Sequence, residues 1–91
     1  MQYRIVATKQ YKKAFKKIKN DIKVVSEIEA ILELLTTDAP LPKSYKDHQL
    51  VGNLKDSREL HIRPDLLLIY QKHEDILVLL LANLGSHSDL F

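Results

Sequence analysis

The sequence has no cysteine and no tryptophan, and it holds only two glycines and three prolines among 91 residues. The absence of cysteine excludes disulfide frameworks, thiol catalysis and Cys-ligated zinc, so the core alone must hold the fold together. Two glycines are too few for a P-loop or a dinucleotide-binding fingerprint. No apolar run approaches the ~20 residues of a membrane span, and the start lacks the apolar stretch of a signal peptide. We therefore expect a cytoplasmic protein with no membrane partner.

The charges are distributed unevenly along the chain. Residues 1–23 carry eight of the 14 basic residues and one acid, whereas residues 24–91 carry the other eleven acids. The net charge of +2 therefore hides a strongly basic start and an acidic remainder. Such a division favours a surface that faces a polyanion. A length of 91 residues with 45% hydrophobic side chains predicts a single globular domain over residues 1–91.

Hydrophobic spacing predicts a strand and two helices in the first half of the chain. Residues 2–7 alternate in polarity and predict a short strand with Tyr3 and Ile5 on one face. Thr8 is a candidate N-cap for a helix over residues 9–19. The apolar stripe of this helix is Tyr11, Ala14, Phe15 and Ile18. A second helix is predicted over residues 22–35. Its stripe is Ile22, Val25, Ile28 or Glu29, Leu32 and Leu35, widened by Val24, Ile31 and Leu34.

The second half of the chain predicts a sheet. Residues 43–57 are polar and predict a loop with a short edge strand at 49–52. Residues 58–63 alternate strictly, and two apolar runs at 66–70 and 76–82 predict two more strands around a turn at 71–75. Gly85 begins a polar tail. The order β-α-α-β-β-β predicts an α+β domain in which a helical hairpin packs on one face of a small, mainly antiparallel sheet.

The alternating strand carries residues suited to acid–base chemistry on a phosphate. His61 lies on its polar side between Glu59 and Arg63, close in sequence to Asp65. An imidazole, carboxylates and a guanidinium on one strand face are typical of such a site, although a solvent-facing sheet surface fits the pattern equally well. Arg58 and Arg63 flank this face, and guanidinium groups make bidentate contacts with phosphate.

The first predicted helix is covered with lysines and has no acid that could pair with them four residues away. A charge run is often only the solvated side of an amphipathic helix. Here the absence of acids favours binding to the phosphates of nucleic acid or to an acidic partner. The candidate residues are Lys9, Lys12, Lys13, Lys16, Lys17 and Lys19.

A metal site is a weaker alternative. His48, His61 and His87 could ligate zinc together with Asp65. However, the sequence contains neither the H-x-x-x-H nor the H-E-x-x-H spacing. We therefore expect neither a metal nor another cofactor.

Three stretches resemble the YafQ-type toxins, which belong to the RelE/ParE superfamily of bacterial toxin–antitoxin systems. They are Tyr45-Lys46-Asp47-His48-Gln49-Leu50, the run from Arg58 to Tyr70, and Leu84-Gly85-Ser86-His87-Ser88-Asp89-Leu90-Phe91. The resemblance extends over the whole chain in length, element order and basic first helix. It implies a RelE-like fold and a ribosome-dependent endoribonuclease that cuts mRNA in the A site. It also implies a cognate antitoxin that neutralises the activity.

The resemblance further implies an active-site set. The family's residues fall on His48, His61, Asp65, His87 and Phe91. Glu59 stands where the family has an aspartate, so an acid is retained with a different reach. We expect a monomeric toxin that forms hetero-oligomers with its antitoxin and uses the lysine-rich helix to hold ribosomal RNA.

Cleavage of RNA without a metal needs a base for the 2′-OH proton and an acid for the departing 5′ oxygen. Histidine can serve in either role near neutral pH. We expect His87 to share these roles with Asp65 or His61, in an order that the sequence leaves open. Arg63 is a candidate for stabilising the phosphate, and Phe91 for stacking on a base.

Two other functions fit the same pattern. One is a gyrase-directed toxin of the same superfamily, which inhibits by binding and needs no catalysis. The other is a nucleic-acid-binding or protein-binding module in which the histidines are incidental. The polar constellation of His48, His61, Asp65 and His87 favours the ribonuclease, because neither alternative requires it.

Overall fold

A five-stranded sheet in the order β1-β5-β4-β3-β2 forms one layer of the structure, and two helices pack on one of its faces. The structure is a computed structural model that describes residues 2–91. The strands are β1 (Arg4–Ala7), β2 (His48–Gln49), β3 (Arg58–Arg63), β4 (Leu66–His73) and β5 (Val78–Gly85). The helices are α1 (Lys9–Ile18), α2 (Ile22–Thr36) and α3 (His87–Leu90). β1 is parallel to β5, and the other neighbouring strands are antiparallel. The predicted α+β fold is confirmed.

The two long helices begin at side-chain caps. Thr8 Oγ1 accepts the backbone N–H of Tyr11 at 3.1 Å, and Asp21 Oδ1 accepts that of Val24 at 3.2 Å. The Thr8 hydroxyl also donates to the carbonyl of Ala82 in β5 at 2.6 Å. The predicted cap and the predicted break between the helices are therefore confirmed, and Thr8 fixes the start of α1 against the sheet.

The hydrophobic core lies between the helices and alternate residues of β3, β4 and β5. Leu60, Leu68 and Leu79 are fully buried at its centre. The stripe predicted for α2 is confirmed except at its first residue. Its buried apolar residues are Val24, Ile28, Ile31 and Leu35, and Leu32 packs against the core. Ile22, the first residue of the helix, is 83% exposed. No helix in residues 2–91 has the length and apolar character to span a bilayer.

The predicted limits of β4 and β5 are wrong at the hairpin. β4 continues to His73, and β5 runs from Val78 to Gly85. The turn therefore covers residues 74–77 rather than 71–75, and Ile76 is an exposed turn residue. Apolar runs mislead here because pairing with a neighbouring strand decides where a strand ends. Polar residues 71–73 pair in register with residues 78–80.

Three further segments differ from the predictions: the start of β1, the edge strand and the C-terminal tail. Tyr3 precedes β1 and is buried, with its N–H bonded to the carbonyl of Thr36, whereas Ile5 is half exposed on the edge strand. The predicted edge strand at 49–52 is instead the shorter β2. The polar tail contains α3, which begins at a capping box between Ser86 and Asp89.

Candidate active site

The sheet face opposite the helices carries polar side chains on its β2 and β3 strands. His48 of β2 lies beside Glu59 of β3, which pairs in turn with Ile69 of β4. Successive side chains of a strand point to opposite faces. Glu59 and His61 therefore lie on the face away from the core residue Leu60, as the alternation predicted.

Glu59 is the centre of this group. Its side chain is only 5% exposed, and its Oε1 lies 3.1 Å from His61 Nε2 and 3.7 Å from His48 Nε2. The two imidazole centroids are 6.4 Å apart. A buried carboxylate requires hydrogen-bond donors, and His61 supplies one. We call His48, Glu59 and His61 the histidine–glutamate cluster.

Hydrogen bonds define which ring nitrogens remain free. His61 donates through Nε2 to Glu59, so its Nδ1 holds the lone pair in the neutral ring. His48 Nδ1 lies 2.8 Å from the carbonyl of Lys46, which can only accept a hydrogen bond. His48 Nε2 therefore holds the lone pair when neutral, and when protonated it faces the carboxylate. The histidine–glutamate cluster can thus accept and return a proton.

His87 and Phe91 form a second group at the end of β5. Both are exposed, and their ring centroids lie 5.0 Å apart. The capping box holds the short helix between them, and hydrogen bonds from Ser86 lower the pKa of the Asp89 carboxyl. An imidazole and an exposed ring are therefore presented side by side, which suits proton transfer beside a stacked base.

Strand pairing relates the two groups. Leu67 of β4 pairs with His61 on one side and with Gly85 on the other. His87 follows Gly85 by two residues, so α3 begins just beyond the sheet row that contains His61. Asp65 lies exposed in the turn between β3 and β4, and none of the ion pairs within residues 2–91 involves its side chain.

Arg63, predicted to face phosphate, is engaged by α2 instead. Its Nη2 lies 2.6 Å from Glu27 Oε1, and its Nε lies 3.2 Å from both carboxylate oxygens. The pairing shifts register between His61 and Arg63, which breaks the alternation on which the prediction relied. The ion pair lowers the pKa of Glu27 and raises that of Arg63. Arg63 therefore does not hydrogen-bond within the histidine–glutamate cluster, although Arg63 and His61 both line a cleft of about 180 Å³.

Arg58 is likewise held by a carboxylate. Its Nε and Nη2 donate to Asp47 Oδ2 at 3.0 and 2.7 Å, and the Tyr70 hydroxyl donates to Asp47 Oδ1. Burial, together with the hydrogen bond to Asp47, raises the pKa of Tyr70. This network anchors the loop that carries His48, the residue after Asp47. The sequence analysis missed it, because no periodicity relates residues 47, 58 and 70.

The six predicted lysines fall into two groups according to where they lie on α1. Lys13 and Lys17 line a cleft between α1 and α3. The others lie outside this cleft, on the exposed side of α1 and at its C-cap: Lys9, Lys12, Lys16 and Lys19. None of the salt bridges found within residues 2–91 involves a lysine of α1. The lysines predicted for this helix are therefore not engaged in ion pairs with the described residues, although, beside the hydrogen bonds from Ser86, the charge of Lys17 helps to lower the pKa of the Asp89 carboxyl.

The arrangement does not form a recognisable metal centre. No group of three or more His, Asp and Glu side chains in residues 2–91 has a geometry that could hold a metal ion. Within the histidine–glutamate cluster, the nearest imidazole and carboxylate already hydrogen-bond to each other.

Known proteins resemble this chain in sequence and in fold. The sequence model of a family described as bacterial toxin of type II toxin–antitoxin system, YafQ, matches residues 3–91. The mRNA interferase toxin YafQ of Escherichia coli K12 is 35% identical over 83 residues, which cover 90% of this chain and 88% of that protein.

Solved structures agree over the full length. In the crystal structure of the E. coli DinJ–YafQ toxin–antitoxin complex, a 34% identical chain superimposes with a TM-score of 0.86, covering 100% of this chain and 99% of that one. A metal-bound toxin from Helicobacter pylori is 41% identical, with a TM-score of 0.89 over 100% of both chains.

Proposed function

This chain belongs to the YafQ family of bacterial type II toxin–antitoxin toxins, and from that premise we propose that it is a metal-independent endoribonuclease. Its substrate in this proposal is mRNA in the ribosomal A site, and its single domain is of the RelE type. The 2′-OH of the message attacks the adjacent phosphorus, and the bond to the 5′ oxygen breaks.

The observation that carries this proposal is the pair of imidazoles around one buried carboxylate. Glu59 orients His61 through a 3.1 Å hydrogen bond and lies 3.7 Å from His48. A gyrase inhibitor or a passive binding module would have no need to bury a carboxylate between two titratable rings. Acid–base cleavage of RNA does need positioned proton donors and acceptors.

The described residues suggest a division of roles. His87 and either His61 or Asp65 act as the base that takes the 2′-OH proton and the acid that protonates the 5′ oxygen. Phe91, beside His87, stacks on a base of the message, an interaction worth about 1–3 kcal/mol. Arg63 is a phosphate ligand in this proposal only if it leaves Glu27.

The partners follow from the charges and from a relative. Lysines of α1 hold ribosomal RNA through its phosphates. A cognate antitoxin neutralises the toxin, and the DinJ–YafQ toxin–antitoxin complex of E. coli supports such a partner. The toxin alone is a monomer and becomes part of a hetero-oligomer with the antitoxin.

The test is primer extension on a reporter mRNA after the chain is induced without an antitoxin. We expect discrete cuts spaced by codons that appear only when the message is translated. A His87→Ala variant with an unchanged circular dichroism spectrum should make no cuts. Cuts in an untranslated copy, or undiminished cutting by this variant, would contradict the proposal. Growth arrest without cuts, accompanied by lost supercoiling, would instead favour the gyrase-directed toxin.

A further inference from the structure

A cleft of about 470 Å³ lies between α1 and α3, at the end of β5. Its volume falls in the range of small-ligand sites. The floor is apolar and consists of Ala14, Ile18, Leu66, Leu84 and Leu90. The polar wall includes Gln10, Lys13, Lys17 and Asn83. An apolar floor beside amides and cations matches the chemistry of one nucleotide, which has a flat base, a sugar and a phosphate.

Two cations and two anions line the cleft. Lys13 and Lys17 lie one helical turn apart and are both exposed. Asp65 and Asp89 line the cleft as well, and, beside the hydrogen bonds from Ser86, the charge of Lys17 helps to lower the pKa of the Asp89 carboxyl. Asp89 Oδ2 also accepts the backbone N–H of Ser86 at 3.0 Å within the capping box. None of the ion pairs within residues 2–91 involves Lys13 or Lys17, so both ammonium groups can contact an anionic group.

The cleft shares an element with the proposed catalytic residues. Asp65 lines it, and so do Asp89 and Leu90 of α3, the helix that begins with His87. RNA whose phosphate lies at His87 is therefore bound at the same short helix that forms part of the cleft.

We propose that the α1–α3 cleft binds the nucleotide adjacent to the cleaved phosphate, a role that rests on the proposed ribonuclease function. Lys13 and Lys17 contact its phosphate, and the apolar floor receives the sugar and base. Asn83 Oδ1 accepts the N–H of Leu84 at 2.9 Å, which leaves the Nδ2 donors of Asn83 for a base acceptor. The cleft then supplies a base preference at one fixed position beside the cut.

Binding of a single-stranded RNA octamer, methylated at every 2′ oxygen so that it cannot be cut, tests this directly. We compare Lys13→Gln/Lys17→Gln with Lys23→Gln/Lys55→Gln, which removes the same charge from exposed residues outside the cleft. The cleft pair should bind about tenfold more weakly, and its salt slope should fall by roughly 0.7 for each phosphate that the protein no longer neutralises. The control pair should change affinity less than about twofold. If the cleft variant and the control variant bind the octamer equally weakly, the proposal is overturned.

Cleavage of the translated reporter separates the two proposals. If the unaltered chain makes no cuts, the ribonuclease function fails, and the octamer result stands by itself as evidence on RNA binding. If it cuts, Asn83→Ala should change the base found next to the cuts while a folded protein still cleaves. If Lys13→Gln/Lys17→Gln and Asn83→Ala both cut at an unchanged rate and with an unchanged base preference, the proposed nucleotide subsite is wrong. It is also wrong if these variants bind RNA normally but no longer bind the antitoxin, and the cleft then belongs to the antitoxin interface.

Discussion

His61 Nε2 lies 3.1 Å from Oε1 of Glu59, a carboxylate with only 5% of its side chain exposed. An ionised carboxylate can only accept a hydrogen bond, so with Glu59 ionised the proton of a neutral His61 ring lies on Nε2, and Nδ1 is the nitrogen that can accept another. In catalytic triads, a carboxylate orients the catalytic imidazole through a hydrogen bond in the same manner.

Replacing this carboxylate should separate a catalytic from a structural role. In Glu59→Gln the side chain keeps its size, but the neutral amide no longer compels His61 to donate, so mRNA cleavage should fall by about tenfold or more. Glu59→Asp keeps the charge with a shorter reach and should retain more activity. Primer extension normalised to the amount of folded protein measures both. Full cleavage by a folded Glu59→Gln protein would contradict this role.

Charge reversal on the outer side of α1 should weaken ribosome binding. Lys12 and Lys16 are exposed and lie outside the α1–α3 cleft. Lys12→Glu/Lys16→Glu should therefore reduce cosedimentation with ribosomes, most strongly at low salt, and should make it less dependent on salt, because fewer phosphate contacts release fewer counterions. The Lys23→Gln/Lys55→Gln variant serves as the control. Cosedimentation that is unchanged across salt concentrations would show that this side of α1 does not contact ribosomal RNA.

The ion pair between Glu27 and Arg63 should make stability depend on pH in the acid range. The pKa of Glu27 is lowered by its hydrogen bonds to Arg63, so its contribution is present above the unfolded pKa and is lost as pH falls through the folded pKa. Glu27→Gln should therefore lower the Tm at pH 7 and match the unaltered protein near pH 3. Glu29→Gln, an exposed position of the same helix, should have little effect at either pH. An equal Tm deficit for Glu27→Gln at both pH values would contradict the linkage.

The hydroxyl of Tyr70 should contribute measurably to stability. Tyr70→Phe removes the donor to Asp47 and leaves part of a carboxylate without a partner, which should cost about 1–3 kcal/mol. The Tyr45 hydroxyl has no hydrogen-bond partner within residues 2–91, so Tyr45→Phe should stay within about 0.5 kcal/mol. Urea denaturation of the two variants gives the comparison. Equal free energies of unfolding would show that the network around Asp47 contributes nothing.

Two isoleucines of α2 test which face of the helix is buried. Ile28→Ala should cost about 2–5 kcal/mol because Ile28 is almost fully buried, whereas Ile22→Ala should cost less than about 0.5 kcal/mol. The same denaturation measurement applies to both. A larger destabilisation at Ile22 than at Ile28 would mean that the first turn of α2 packs against the core in solution.

The alternation of polar and apolar residues in β3 predicted the orientation of its side chains as far as His61 and failed at Arg63. Alternation correctly placed Leu60 in the core and Glu59 with His61 on the other face. It failed two residues later, because a register shift directs Arg63 to Glu27, and a shift of this kind leaves no mark in the hydrophobic pattern.

The site itself was predicted only in part. The alternation brought Glu59 and His61 together, but His48 joins them through the pairing of β2 with β3. Such pairings between distant segments follow from tertiary packing, which one sequence read locally does not contain. The same limit hid the contacts of Asp47 with Arg58 and Tyr70.

The parallel pairing of β1 with β5 determines when the fold can be completed. Thr8 donates to the carbonyl of Ala82, 74 residues further along, and β1 has no other strand to pair with among residues 2–91. Contacts across so long a loop form late and slowly. During synthesis, α1 therefore has no docked position until β5 has left the exit tunnel, and α3 emerges later still. The basic helix and the two histidine groups therefore come together only after β5 and α3 have left the tunnel, and the nascent chain has no assembled site before that point.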